Sequence, residues 1–162
     1  MTPGRILRWI HLAQSIGGGT AGIALALQTL VNGRPHPIPE LTSIFPLLLL
    51  AFLGVFAGIR YSEDEGRKRL LKLYYAFQIP WVSSDFFMYQ FFVGTFAANG
   101  WLGGRSYWTV GLGARWQLSF FNNVPFGVGI NTAALLMLLM SCLANPWRAT
   151  APALPPVHEN LG

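Results

Sequence analysis

The sequence predicts an all-α membrane protein, a bundle of four transmembrane helices with a short extended, β-like outer loop. Three observations lead there. Only 10% of the residues are charged while 52% are hydrophobic, against roughly 25% charge in a typical soluble domain; a globule so poor in charge lacks the polar groups to cover its surface. The apolar residues arrive in blocks near the length of about 20 residues that a helix needs to cross a hydrocarbon core. The basic residues gather beside the ends of those blocks.

The first block, residues 7–30, has Arg5 and Arg8 at its start and ends at Asn32-Gly33. A cleaved signal peptide shares the basic start, and Ala24-Leu25-Ala26 resembles a small-residue cleavage site. Gly17-Gly18-Gly19, however, dilutes the apolar core, and the block is long enough to span. The second block, 41–59, carries no charge. The third, 70–97, begins with Lys72 near its inner end and carries one charged residue in its interior, Asp85. The fourth, 125–143, stops at Asn145-Pro146-Trp147-Arg148. Together these predict one transmembrane domain over residues 1–148, followed by a proline-bearing cytoplasmic tail, 149–162, too poor in apolar residues to pack.

Orientation follows from charge. With the N-terminus inside, Arg5, Arg8, Arg60, Arg67, Lys68, Arg69, Lys72 and Arg148 fall on the cytoplasmic side, and Arg34, Arg105 and Arg115 outside. Basic residues favour cytoplasmic flanks, so the expected location is a plasma (inner) membrane, multi-pass, with both termini cytoplasmic. The same pattern accounts for the net charge of +5 without nucleic acid as a partner. Of the connections, the first holds Pro35, Pro37 and Pro39 and reads as extended. The second is short, its Glu63-Asp64-Glu65 preceding Arg67-Lys68-Arg69 as suits the start of a helix.

The third connection, 98–124, is different in kind. Trp108, Val110, Leu112, Ala114, Trp116, Leu118 and Phe120 alternate with Thr109, Gly111, Gly113, Arg115, Gln117 and Ser119. A complete period of two indicates a strand. An open strand edge has no place in lipid, so the strand is expected at the outer surface, paired as a hairpin or with another chain.

Asp85 leads the candidate residues for chemistry, because a carboxylate within a span is costly. Tyr74, Gln78, Asp85 and Tyr89 recur at helical spacing and would share one face. Asn131, in the fourth block, would lie at a similar depth. Such a polar face serves either as a cavity for a proton or small solute or as an interhelical hydrogen-bonded seam. Gly18 and Gly22, and likewise Gly54 and Gly58, have the spacing that lets helices approach closely. His11, His36 and His158 belong to different membrane depths, which argues against a shared metal or haem site, and the single Cys142 excludes an intramolecular disulfide. No cofactor is predicted.

These readings converge on a non-enzymatic bundle, in contact with the lipid bilayer, that self-associates or serves as an accessory subunit of a larger membrane complex. The alternative is a small transporter or proton-coupled carrier using the polar face around Asp85. An intramembrane enzyme acting on a lipid-like substrate has least support, since no pair of carboxylates flanks a cleft and no serine, histidine and acid share a depth.

Overall fold

The computed structural model describes residues 3–31, 38–121 and 123–143. The N-terminal helix is continuous but not uniform: α1 (Pro3–Leu12) widens into one π-helical turn over Ala13–Gly17 and resumes as α2 (Gly18–Val31). Next comes α3 (Ile38–Glu63), whose Pro39 lies in the first turn, where a missing N–H is tolerated. After a short turn comes α4 (Arg69–Gln78), then β1 (Pro80–Ser83), β2 (Phe87–Leu102), β3 (Arg105–Phe120), β4 (Gly127–Asn131) and α5 (Thr132–Leu143).

This is a mixed α/β architecture rather than the expected all-α bundle of four transmembrane helices. Two helices are long and apolar enough to cross a membrane, Gly4–Val31 and Ile44–Glu63. The other two expected helical spans are replaced. The helix expected over 70–97 ends at Gln78, one residue before Ile79 and two before Pro80. Pro80 has no N–H to continue the ladder, and the aromatic and β-branched run beyond Asp85 suits a pleated sheet. The block at 125–143 divides into β4, where glycine alternates with Val128 and Ile130, and the 12-residue α5. The disordered-tail expectation for 149–162 lies outside the described residues, as do His36 and His158.

The four strands form one antiparallel sheet in the order β1-β4-β2-β3. The alternating segment is indeed strand, but it is longer than a surface loop: β3 pairs along its whole length with β2, from Phe87↔Phe120 to Leu102↔Arg105. The register of the other edge of β2 reveals its shape. Its beginning runs antiparallel to β1 (Ser83↔Met88), its end antiparallel to β4 (Leu102↔Gly127), and β4 is antiparallel to β1. The two halves of β2 therefore run in largely opposed directions, and the hairpin is sharply bent. The bend falls at the cross-strand pair Gly94↔Gly113, both with positive φ (80° and 122°), a conformation that glycine adopts without steric cost.

The two faces of β2 border two cores. On one, Phe91 and Val93 pack with Leu47, Leu71, Tyr74, Tyr75 and Met137 from the helices, flanked by Trp116 and Leu118. On the other face of the sheet, Phe92, Phe96 and Ala98 enclose Trp81. The indole has room because glycines line its pocket: a Cβ on Gly129 would lie 2.5 Å from Trp81 Nε1, and one on Gly127 3.0 Å from its Cζ3. Past the bend the covered face changes, and Trp108, Val110 and Leu112 are exposed, Leu112 by 84%.

Candidate functional site

The most distinctive chemistry lies along the open edge of β2. That edge meets β1 only at Met88–Tyr89 and β4 only from Ala98 onward. In between, the backbone, buried at Val93 and part-buried at Thr95 and Ala97, has no strand partner on this edge, although N–H and C=O groups shielded from water require one. Side chains from the helices supply it.

Gln14, in the π-helical turn, imitates a strand. Its Nε2 donates to the carbonyls of Val93 (3.0 Å) and Thr95 (2.8 Å), and its Oε1 accepts from the Thr95 N–H at 2.8 Å. Gln78, at the last turn of α4, accepts from the Val93 N–H through Oε1 at 3.2 Å. Asn131, where β4 becomes α5, accepts from the Ala97 N–H at 3.1 Å. The same Asn131 oxygen lies 3.4 Å from the Ala134 N–H and so caps α5. Thr132 Oγ1 donates to the Ala97 carbonyl at 2.7 Å. Gln78 and Asn131 are fully buried, and Gln14 nearly so.

The bend itself rests on helix. A Cβ on Gly18 would sit 2.9 Å from the Gly94 nitrogen, so only glycine lets the strand approach there. Beside this contact is an open groove of about 450 Å³, lined chiefly by Ile10, Ala13, Gly17, Ala21, Thr95 and Leu112. π-helical turns often accompany functional sites; this one coincides with the point where the helix contributes Gln14.

The residues singled out in the sequence are distributed unequally. Gln78 and Asn131 come together on the β2 edge, but through a strand rather than across a helical bundle. Tyr74 is buried on α4, its ring filling the space over Gly54, where a Cβ would lie 2.5 Å from Tyr74 Cε2. Tyr89 is on β2 and donates its hydroxyl to the Phe77 carbonyl. Asp85 stands apart, exposed in the turn between β1 and β2. The proposed helical face does not form, because the helix has ended seven residues earlier, at Gln78.

Gly22 packs against Ala51 of α3, with its Cβ position 3.0 Å from the alanine methyl, and Gly58 lies over Ile16 and Ser15. Arg115 is exposed on β3. His11 is buried in the helical core rather than at an interface. Its Nδ1 lies 3.0 Å from Tyr75 Oη, and the Tyr61 ring meets it edge-on at 5.7 Å.

Sequence reasoning overlooked Gln14, Gly94 and Thr132. A glutamine inside an apolar block was the available signal for the first.

The arrangement is one of neutral amides saturating a backbone. Amides neither titrate nor act as nucleophiles, and among the described residues no three His, Cys, Asp or Glu side chains gather as a metal site would require. Fold and site together define an α/β protein in which a bent hairpin is held against helices by side-chain amides. Comparison with known protein families, curated proteins and solved structures finds no match.

Proposed function

We propose that this chain is a multi-pass, non-enzymatic membrane protein that assembles with itself or with other membrane subunits through the exposed face of its β2–β3 hairpin. In this reading the two long helices span the bilayer. The α4–β1 and β4–α5 segments form two further passes, half helix and half strand. At about 1.5 Å per helical residue and about 3.3 Å per strand residue, each measures roughly 30 Å, the thickness of a hydrocarbon core. The basic segment from Arg60 to Lys72 then lies at the cytoplasmic surface with the N-terminus.

The saturated edge of β2 is the observation that carries this reading. Non-helical backbone at membrane depth is tolerated only where protein satisfies its hydrogen bonds, and Gln14, Gln78, Asn131 and Thr132 do so from Val93 to Ala97. Exposed Trp108, Val110 and Leu112 then face lipid or a partner instead of water. The absence of catalysis in the proposal follows from the neutral amides at the site and from the position of Asp85 on a turn. A proton carrier needs that carboxylate along its pathway.

The test is the assembly state of the full chain in mild detergent and in lipid nanodiscs. The expected result is an oligomer, or a complex with membrane subunits when taken from native membranes, that dissociates in Trp108→Glu while the circular dichroism spectrum is unchanged. A monomer in both media, together with no co-purifying membrane subunit, refutes the proposal.

A further inference from the structure

The joint between α3 and α4 carries three arginines that the β2 edge does not involve. Arg60, Arg67 and Arg69, with Gly66 and Leu70, line a cavity of about 430 Å³. Acidic neighbours neutralise it only in part. Glu65 pairs with Arg8 at 3.2 Å, Glu63 with Arg60 and Asp64 with Arg67, each at 3.5 Å. The last two are exposed pairs of the weak kind that another anion displaces readily. Arg69 has no ion-pair partner among the described residues. The start of α4 also lacks an acidic residue in its first turn and a side-chain cap on its free N–H groups, so its positive end faces the same region uncompensated.

What lies below the arginines indicates the rest of the ligand. On α3, Phe52, Phe56 and Arg60 follow at intervals of four residues, one face of a helix, and the Arg60 guanidinium lies 5.2 Å from the centre of the Phe56 ring. On α4, Arg69, Leu73 and Phe77 repeat the interval. All four apolar residues are exposed. Each helix therefore presents an apolar stripe topped by a cavity-lining arginine.

We infer that this joint binds an anionic phospholipid, its phosphate among Arg60, Arg67 and Arg69 and its acyl chains along the two stripes. Basic pockets between helices at a cytoplasmic surface suit such headgroups. The inference rests on the membrane reading proposed above. Free phosphate shares the headgroup chemistry but has no use for the stripes.

The experiment titrates the detergent-solubilised full chain with phosphatidylglycerol, phosphatidylcholine or inorganic phosphate. Melting temperature and lipid retention by native mass spectrometry are followed. Phosphatidylglycerol is expected to raise the melting temperature and to remain bound; the other two are expected to do neither at equal concentration. Each basic residue at an anionic surface changes affinity by about fivefold, so Arg69→Gln should weaken binding about fivefold and Arg60→Gln/Arg69→Gln about 25-fold. Arg115→Gln should leave binding unchanged. Because Arg69 holds no ion pair, its replacement leaves the fold in place and keeps the test valid even if the double variant misfolds. An equal response to phosphatidylcholine, a full response to phosphate alone, or undiminished binding by Arg69→Gln overturns the inference. Carbonate washing of membranes separates the two proposals. A chain that stays in the pellet but shows no lipid preference overturns this site alone; release into the soluble fraction overturns the membrane reading and this site with it.

Discussion

Replacing Gln14 by leucine preserves the approximate volume of the side chain while removing every hydrogen bond it makes. Three contacts are lost, to the Val93 carbonyl, the Thr95 carbonyl and the Thr95 N–H. A buried polar group stripped of its partner costs about 1–3 kcal/mol. The N–H is orphaned outright, whereas each carbonyl keeps a second lone pair and loses less. Leucine regains about 1 kcal/mol through added apolar surface. Because the two bonds at Thr95 are only part-buried, the net loss is about 2 kcal/mol, still a sizeable share of the roughly 5–15 kcal/mol that holds a domain together. Gln28→Leu makes the same chemical change on the exposed side of α2 and should stay within about 0.5 kcal/mol.

The assay is reversible chemical unfolding in detergent, followed by tryptophan fluorescence. A double-mutant cycle sharpens it. A Cβ on Gly94 would lie 2.6 Å from Gln14 Oε1, and Gly94 has φ 80°. Gly94→Ala should therefore cost less in a Gln14→Ala background than in the native chain, the remainder being backbone strain. Equal stability of Gln14→Leu and Gln28→Leu would refute the claim that Gln14 completes the strand edge.

Three further outcomes follow from the same geometry. Asn131→Leu should destabilise by about 2–4 kcal/mol by orphaning two backbone N–H groups, whereas Asn131→Asp keeps an acceptor toward both but buries a carboxylate, so its cost should shrink as the pH falls and the carboxyl is protonated, as thermal unfolding of the two variants across pH will show. Gly129→Ala should cost at least about 3 kcal/mol, because an added Cβ would run into the Asn99 carbonyl oxygen as well as the Trp81 indole, and Trp81→Phe in the same chain should recover little of that melting temperature because the backbone contact remains. Asp85→Asn, in the exposed turn, should change stability by no more than about 0.5 kcal/mol, measured in the same unfolding assay.

Local structure is legible in the sequence where one face of an element differs from the other. The period of two from Trp108 to Phe120 marks β3, and the apolar blocks before Glu63 mark the two long helices. The segment 70–97 failed for the opposite reason. In β2, consecutive Phe91, Phe92 and Val93 are all buried, because one face meets the helices and the other meets Trp81. A strand covered on both sides reads as a continuous apolar run, which periodicity does not distinguish from a helix. Pro80 and the Ser83-Ser84-Asp85 cluster were signals of a break and a turn, and Asp85 belongs to that turn rather than to a polar helical face.

The face of β3 was also not legible. Its apolar residues turn toward the helices only beyond Gly113, and the bend depends on a cross-strand glycine pair visible only once the register is known. The candidate site was half legible: Gln78 and Asn131 stand out as polar residues in apolar blocks. Their common purpose, saturating one strand edge, follows from a tertiary arrangement that joins residues 79 and 81 positions away from Gln14.

The claim that the bent hairpin lies in the membrane is tested most directly by spin-label accessibility at Leu112. The lone Cys142 is first replaced by serine; a nitroxide is then attached at Leu112→Cys and, in a separate chain, at Asp85→Cys, and both are reconstituted in nanodiscs. Dissolved oxygen concentrates in the hydrocarbon and a hydrophilic nickel chelate in water. The account predicts that the Leu112 label collides with oxygen and is shielded from the chelate, while the Asp85 label shows the reverse preference. Strong relaxation of the Leu112 label by the chelate would place the hairpin in water and contradict the account.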